Sequence, residues 1–100
     1  MLIIIARIEF DPDRMDDIEP ALDAMMRATW EESGCLSYSM AIENRALGIC
    51  SITERWESEA SLKSHFASPH MATFLAAIDG AARSTDAMMY DVVNERPLVL

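Results

Sequence analysis

The chain has 100 residues, of which 51% are hydrophobic and 25% are charged, with only three glycines and four prolines. This length and balance indicate a single globular domain over residues 1–100 and exclude a disordered or fibrous protein. Seventeen acidic residues against eight basic ones give a formal net charge of -9. The resulting field repels phosphate backbones and anionic membrane surfaces, so neither nucleic acid nor a membrane is an expected partner.

The chain opens with a predicted strand, Leu2–Phe10 (LIIIARIEF), which is rich in β-branched residues and is followed by Asp11 and Pro12. Its apolar start, MLIII, is far shorter than a membrane span, and charged residues follow closely. It is therefore neither a signal peptide nor a transmembrane segment, and a cytoplasmic location is expected.

A helix and a hairpin are predicted next. From Met15 the apolar residues recur every three or four positions, which predicts a helix that Gly34 ends, with Pro20 delaying its start or bending its first turns. The segments Cys35–Glu43 and Gly48–Trp56 alternate apolar and polar residues around a turn, NRAL, and so predict a β-hairpin. The apolar stripe of the helix consists of Ile18, Leu22, Met25, Met26 and Trp30.

Two short helices and a last strand complete the pattern. Ser58 is placed to cap the first helix, and Ser68 with Pro69 to start the second. The second helix has an apolar stripe of Met71, Phe74, Leu75, Ile78 and Ala82. Ala87–Val93 (AMMYDVV) predicts the last strand.

This order of elements is that of an α+β, ferredoxin-like domain, in which helices cover one face of an antiparallel sheet. The first and last strands carry apolar residues on both faces, as with Ile4 and Ile5 or Met88 and Met89. Since helices cover only one face, a second copy of the same sheet is the simplest cover for the other, and we expect a homodimer.

The two cysteines are predicted to be free. The hairpin register sets Cys50 opposite a residue near Ala41, about six positions or roughly 20 Å along the strand from Cys35. A disulfide within the chain is therefore excluded, and a reducing compartment is expected.

Several kinds of site lack their sequence signatures. The histidines are five residues apart across a proline and the cysteines are distant, so no metal site is predicted. The chain has no GxSxG motif for a nucleophile and no glycine-rich phosphate loop.

The stretch ERWESEASLKSHFASPHMATF contains both histidines. His65 borders an apolar stripe and should point inward, either as a core-edge residue hydrogen-bonded to Glu54 or a backbone carbonyl, or as a base in a closed pocket. His70 lies in the first turn of a helix, where the helix dipole favours a neutral ring, either packing there or contacting substrate.

For several aromatic and methionine side chains, as for the histidines, the sequence allows either a packing role or a place in a binding pocket. Trp56 ends the third strand and shares a sheet face with Glu54; like Tyr38 and Tyr90, it either packs in the core or walls an aromatic pocket. The methionines Met40, Met71, Met88 and Met89 would give such a pocket an adaptable lining.

Two segments, EESGCLSY at Glu31–Tyr38 and ERWESEASLKSHFASPHM at Glu54–Met71, resemble the antibiotic-biosynthesis monooxygenase (ABM) domain family. The resemblance is to its small bacterial members of quinol-monooxygenase type. The matching residues are Glu32, Gly34, Cys35, Tyr38, Glu54, Trp56, Glu57, Ser58, Leu62, His65, Pro69 and His70.

The resemblance implies a dimeric α+β barrel with a pocket between each sheet and its own helices. It also implies oxidation of a small aromatic substrate by molecular oxygen without flavin, haem or metal. By the same resemblance His65 is the expected base, His70 and Tyr38 bind substrate oxygens, and Trp56 forms an aromatic wall. Glu54 would orient His65.

We therefore expect a cofactor-independent monooxygenase acting on a quinol or polyphenol. The haem-degrading branch of the family has an asparagine in its first strand that this chain lacks, which disfavours haem. An isomerase of a small carbonyl or signalling compound, and a non-catalytic small-molecule-binding dimer, are the alternatives. The sheet face of Arg7, Arg55 and Asp91 is left open, because one residue of strand register reverses it.

Overall fold

The computed structural model describes all 100 residues, Met1–Leu100, and confirms the α+β, ferredoxin-like arrangement. Its strands and helices are β1 (Leu2–Phe10), α1 (Met15–Trp30), β2 (Cys35–Asn44), β3 (Ile49–Trp56), α2 (Glu59–Phe66), α3 (Pro69–Ile78) and β4 (Ala82–Asp91). A single 3-10 turn, Pro12–Arg14, precedes α1. None of the three helices has the length and apolar character needed to span a bilayer.

The four strands form one antiparallel sheet in the order β2-β3-β1-β4. Strand β1 is central, and Ile4 lies opposite Glu54 of β3 and Met89 of β4. Directly opposed residues share a face of the sheet. The register therefore divides the strands into an inner face, toward the helices, and an outer face without cover.

The hydrophobic core lies between the inner face and the helices. Alternate residues of β1 are buried there, as period-two alternation requires. The α1 stripe is confirmed for Ile18, Leu22 and Met25, which are buried, whereas Trp30 at its end is half exposed. The Trp30 indole nevertheless donates a 2.7 Å hydrogen bond to the carbonyl oxygen of Tyr38, which ties the end of α1 to β2.

Several features of the elements differ from the prediction. Helix α1 begins at Met15 with Pro20 inside it, so its start is not delayed. The hydrogen bond that Pro20 lacks would have been accepted by the carbonyl of Asp16, an exposed residue in the first turn of the helix. Helix α1 also ends at Trp30, four residues before Gly34.

The last strand starts earlier than predicted, at Ala82, and ends at Asp91. Helix α3 stops at Ile78, so Ala82 belongs to the strand and not to a helical stripe. The added segment, ARSTD, lacks an apolar alternation, and its pairing with the apolar β1 decides its conformation instead.

The register settles the positions that the sequence left open. Arg7 and Arg55 lie on the outer face, in line with Ile3 and Ile5, and Arg7 forms an ion pair with Glu43. Asp91 lies opposite Leu2 and so belongs to the inner face. Strand β4 is exposed at all ten residues, which means that the helices leave its inner face uncovered.

The cysteines are both free. Cys35 lies opposite Trp56, and Cys50 lies opposite Ile42, one residue from the predicted Ala41. The two thiols therefore sit at opposite ends of the hairpin, as the predicted register required.

Gly34 permits a close approach between the turn before β2 and helix α2. Its φ is +86°, and an added Cβ would lie 2.1 Å from Oγ of Ser61. Gly80 has a similar φ of +77°, but an added Cβ there would meet nothing within 4 Å. A side chain would be strained by the backbone at both glycines, but it would overlap other atoms only at Gly34. Comparing the two substitutions therefore distinguishes the cost of backbone strain from the cost of steric overlap.

Gly34→Ala is expected to lower the free energy of unfolding by about 2–5 kcal/mol, and Gly80→Ala by only about 1–2 kcal/mol. Urea denaturation monitored by tryptophan fluorescence measures both values. Adding Ser61→Gly to Gly34→Ala should recover the steric part of the loss. Equal losses in the two single variants would show that α2 shifts freely and that the close approach is not required.

Candidate functional site

A cavity of about 270 Å³ lies between the inner face of the sheet and helix α2. Its floor is formed by β1, β3 and β4, and its roof by one side of α2. All but one of the lining side chains are apolar, and the exception is a carboxylate; the lining residues are Ile4, Ala6, Glu54, Leu62, Phe66, Ala87, Met88 and Met89. The cavity therefore fits a small apolar or aromatic molecule with one polar group directed at Glu54.

Helix α2 is positioned by its first residues. Ser58 caps it, as predicted, because its Oγ accepts a 3.2 Å hydrogen bond from the backbone N–H of Ser61. Only two residues separate the end of β3 from the start of the helix, so Leu62 and Phe66, one turn apart, lie over the cavity. His65, on the neighbouring side of the same turn, is buried against the hairpin.

Glu54 is the polar group of the cavity. It lies on the inner face between Ile4 and Tyr38, is only 8% exposed, and accepts a 2.9 Å hydrogen bond from the Trp56 indole. Burial raises the pKa of Glu54 above its ordinary value, while the hydrogen bond from Trp56 and the nearby His65 oppose the shift. A carboxylate with a raised pKa in an apolar cavity is suited to accept a proton from a bound molecule.

Beside this cavity three side chains from separate elements meet. His65 Nδ1 is 2.6 Å from Oε2 of Glu32, and His70 Nε2 is 2.9 Å from the same oxygen. Because a carboxylate oxygen only accepts, both ring nitrogens donate to it. Glu32 comes from the turn before β2, His65 from the end of α2 and His70 from the start of α3.

The hydrogen-bond partner of His65 differs from the predicted one. Glu54 was expected to orient this ring, but its carboxylate accepts from Trp56, and Glu32 holds the His65 ring instead. The reason is topological, since the turn between α1 and β2 passes beside the end of α2 and brings Glu32 there. Sequence spacing did not reveal Glu32, which lies 33 residues from His65.

The aromatic residues pack around His65. The ring of Trp56 is 4.8 Å from that of His65, the ring of Tyr38 is 5.2 Å away, and both aromatic residues are buried. Burial, with the nearby carboxylates of Glu54 and Glu32, raises the pKa of the Tyr38 phenol far above its ordinary value, so it stays neutral.

Of the five predicted site residues, Glu54 alone lines the cavity. His65, Trp56 and Tyr38 form the packed layer beside it. His70 lines a second, apolar cavity of about 290 Å³ between α1 and α3.

The sequence analysis did not assign Leu62 and Phe66 to a site, although the sequence shows them one helical turn apart and next to His65. Of the four methionines considered, Met88 and Met89 border the cavity under α2, and the register places the Met89 side chain on the inner face and that of Met88 on the outer face.

A family model and a curated relative both match this chain over about three quarters of its length. Residues 1–77 match the family model described as antibiotic biosynthesis monooxygenase. Rv0793 of Mycobacterium tuberculosis, whose name describes a candidate monooxygenase, is 35% identical over 75 residues, which are 75% of this chain and 73% of that protein.

Solved structures agree with the fold. The structure of Rv0793 has a TM-score of 0.83 at 29% identity and covers 96% of this chain and 98% of its own. A crystal structure of an antibiotic biosynthesis monooxygenase has a TM-score of 0.85 at 24% identity, with 94% and 100% covered. PA3566 from Pseudomonas aeruginosa has a TM-score of 0.83 at 22% identity, with 93% and 94% covered. The last two matches bear on the fold alone.

Proposed function

Because the chain belongs to the antibiotic biosynthesis monooxygenase family, we propose that it is a monooxygenase that oxidises a quinol or similar polyphenolic aromatic with molecular oxygen and without a cofactor. The observation that carries this proposal is the apolar cavity with a single buried carboxylate, Glu54, whose pKa is raised. Such a cavity accepts an aromatic body and removes one hydroxyl proton.

The proposed chemistry needs little from the protein. A hydroquinone that loses a proton becomes a strong reductant and can pass an electron to oxygen directly. Inserting one oxygen atom into a ring C–H and releasing the other as water converts hydroquinone and O₂ into hydroxyquinone and water. All four electrons then come from the substrate. The protein binds the aromatic, takes its proton and excludes water.

Glu54 is the residue proposed to take the hydroxyl proton, since it lines the cavity and His65 does not. Trp56 positions the carboxylate through its indole N–H. His65 packs on Trp56. We propose that His65 does not touch substrate and instead helps to hold Trp56, and with it the Glu54 carboxylate, in place. Substrate contacts by His70 and Tyr38 remain predictions; neither side chain reaches the cavity wall.

Oxygen uptake tests the proposal. The purified, metal-free protein given a reduced naphthoquinol should consume oxygen faster than the spontaneous oxidation of the quinol, and mass spectrometry with ¹⁸O₂ should find one labelled oxygen atom in the product. A panel of naphthols and catechols covers other phenols. Binding of these compounds without oxygen uptake would favour the non-catalytic dimer. The isomerase is disfavoured because the cavity offers no second titrating group opposite Glu54.

We also propose that the protein is a homodimer joined through the outer face of the sheet. Apolar side chains are exposed there on two neighbouring strands, Ile5 on β1 and Met88 and Tyr90 on β4. Ile5, which is 53% exposed, lies directly opposite Met88, so the two form one continuous patch. A second copy of the sheet packed on this patch would remove it from water.

Ile5→Lys is expected to convert the dimer into a monomer at tens of micromolar protein, because the substitution buries a charge at the centre of the proposed interface. Size-exclusion chromatography with light scattering measures the mass. Leu75→Lys is the matched control, since Leu75 is equally exposed but lies on α3, on the other side of the sheet. A wild-type protein that is already monomeric would contradict the proposal.

The cytoplasm is the compartment we propose. Both cysteines are free and are held at opposite ends of the hairpin, which suits a reducing environment.

A further inference from the structure

The meeting point of Glu32, His65 and His70 has the composition of a metal site. Two imidazole nitrogens and one carboxylate oxygen lie within 4.8 Å of one another. We propose that these three side chains bind a divalent transition-metal ion, and that Zn²⁺ is the ion they fit best. Two histidines and one carboxylate form a known three-ligand zinc set, which leaves the fourth position to water.

The donors must shift by up to about 1.5 Å to surround one ion. Zinc lies about 2.0–2.2 Å from nitrogen and oxygen ligands, so donors around a tetrahedral ion are about 3.3 Å apart. The two nitrogens are now 2.6 and 2.9 Å from Oε2 of Glu32. The two contacts to Glu32 must therefore lengthen by less than about 1 Å, whereas the two nitrogens, which lie within 4.8 Å of each other, must approach by up to about 1.5 Å. Torsions of the Glu32 side chain can supply the first change, and rotation of His70, the more exposed of the two rings, can supply the second.

The hydrogen bonds of the metal-free cluster mark the position of the ion. Both ring nitrogens lie within hydrogen-bonding distance of the same carboxylate oxygen. A neutral imidazole can bind an ion at such a nitrogen once its proton has moved to the other ring nitrogen. His65 and His70 use different nitrogens, Nδ1 and Nε2, which lets rings from two helices converge on one point.

The cluster is partly open to solvent. The His65 side chain is 1% exposed, whereas those of Glu32 and His70 are 16% and 23% exposed. An ion can therefore enter beside His70, and water can occupy its fourth position from that side. The chain's net charge of -9 draws cations toward the surface.

The inference goes beyond the proposed function and does not depend on it, since none of the three ligands lines the cavity beneath α2. Its consequence is structural. The ligands come from the turn before β2, from α2 and from α3, so one ion would join three elements of the layer above the sheet.

Zinc binding is tested on the EDTA-treated full chain by calorimetry and by thermal unfolding. We expect one Zn²⁺ per chain and a Tm rise of about 10–20 °C at a free zinc concentration a hundred times Kd. His70→Ala and Glu32→Gln should each weaken binding by about 100-fold or more and should remove most of the rise in Tm. Both variants are first compared with the wild type without metal, so that loss of the hydrogen bonds is measured separately.

Glu31→Gln is the matched control, because it removes a neighbouring exposed carboxylate and should leave zinc binding unchanged. Mg²⁺ should give no rise in Tm, since imidazole ligands favour transition metals. Absence of zinc binding in the wild type would overturn the proposal, and so would binding that persists in both ligand variants. Neither result bears on oxygen uptake.

Discussion

Glu54→Gln is expected to lower the rate of oxygen uptake by about 100- to 10,000-fold, which is the usual contribution of a general base. Glutamine has nearly the same shape, and its amide oxygen can still accept the hydrogen bond that Trp56 donates to Glu54. The substitution therefore removes proton acceptance and retains the packing. Steady-state uptake of oxygen with a reduced naphthoquinol, measured for both proteins, gives the ratio of kcat/KM.

Glu54→Gln is also expected to change how the stability of the folded chain depends on pH. Burial raises the folded-state pKa of Glu54, so the folded chain holds this proton more tightly than the unfolded chain. The stability due to this proton is present below the ordinary pKa of the carboxyl and is lost as pH rises through the raised one. His65, Glu32 and Tyr38, which face Glu54, are unchanged in the variant.

Relative to the wild type, Glu54→Gln should therefore gain unfolding free energy as pH is raised from about 4 to 7. Urea denaturation at several pH values measures the difference. A variant that loses stability at pH 7 while keeping full activity would show that Glu54 is a structural residue and not the base.

Trp56→Ala is expected to lower the free energy of unfolding by about 3–5 kcal/mol. The side chain is fully buried, and the rings of His65 and Tyr38 pack against it. Trp56→Phe keeps most of the volume but leaves the Glu54 carboxylate without its donor, at a cost of about 1–3 kcal/mol. It should also slow oxygen uptake, because the base is no longer held in place. Chemical denaturation and oxygen uptake check the two effects.

Trp30→Phe is the control for the loss of an indole N–H. Trp30 donates to the Tyr38 carbonyl but is half exposed, so water can replace it and the cost should stay below about 1 kcal/mol. Equal losses of unfolding free energy in the two Trp→Phe variants would mean that the hydrogen bond to Glu54 stabilises the fold no more than the one to the Tyr38 carbonyl.

Most of the fold was predictable because its elements carry local signals. The strand over Leu2–Phe10 alternates, α1 repeats its apolar residues at helical spacing, and Ser58 and Ser68 cap the two short helices as expected. The start of β4 was not predictable in this way. Its first residues are polar and extended only because β1 pairs with them, which is a tertiary effect.

The part of the site that depends on local sequence patterns was also predictable. Alternation along β3 placed Glu54 and Trp56 on one face, and the structure joins them by a hydrogen bond. The bond between His65 and Glu32 links a helix to a distant turn, and no periodicity relates two such positions. The cavity wall contributed by β4 was likewise set by strand pairing.

The exposure of β4 bears on how a molecule enters the cavity. This strand pairs only with β1 and has no buried side chain, yet Ala87 and Met89 on its inner face form one wall of the cavity. Segments with few buried contacts open without global unfolding, so backbone amides of β4 should exchange with deuterium faster than those of β1. Each opening would admit an apolar ligand, and a second copy seated against β4 would slow both amide exchange and the escape of product.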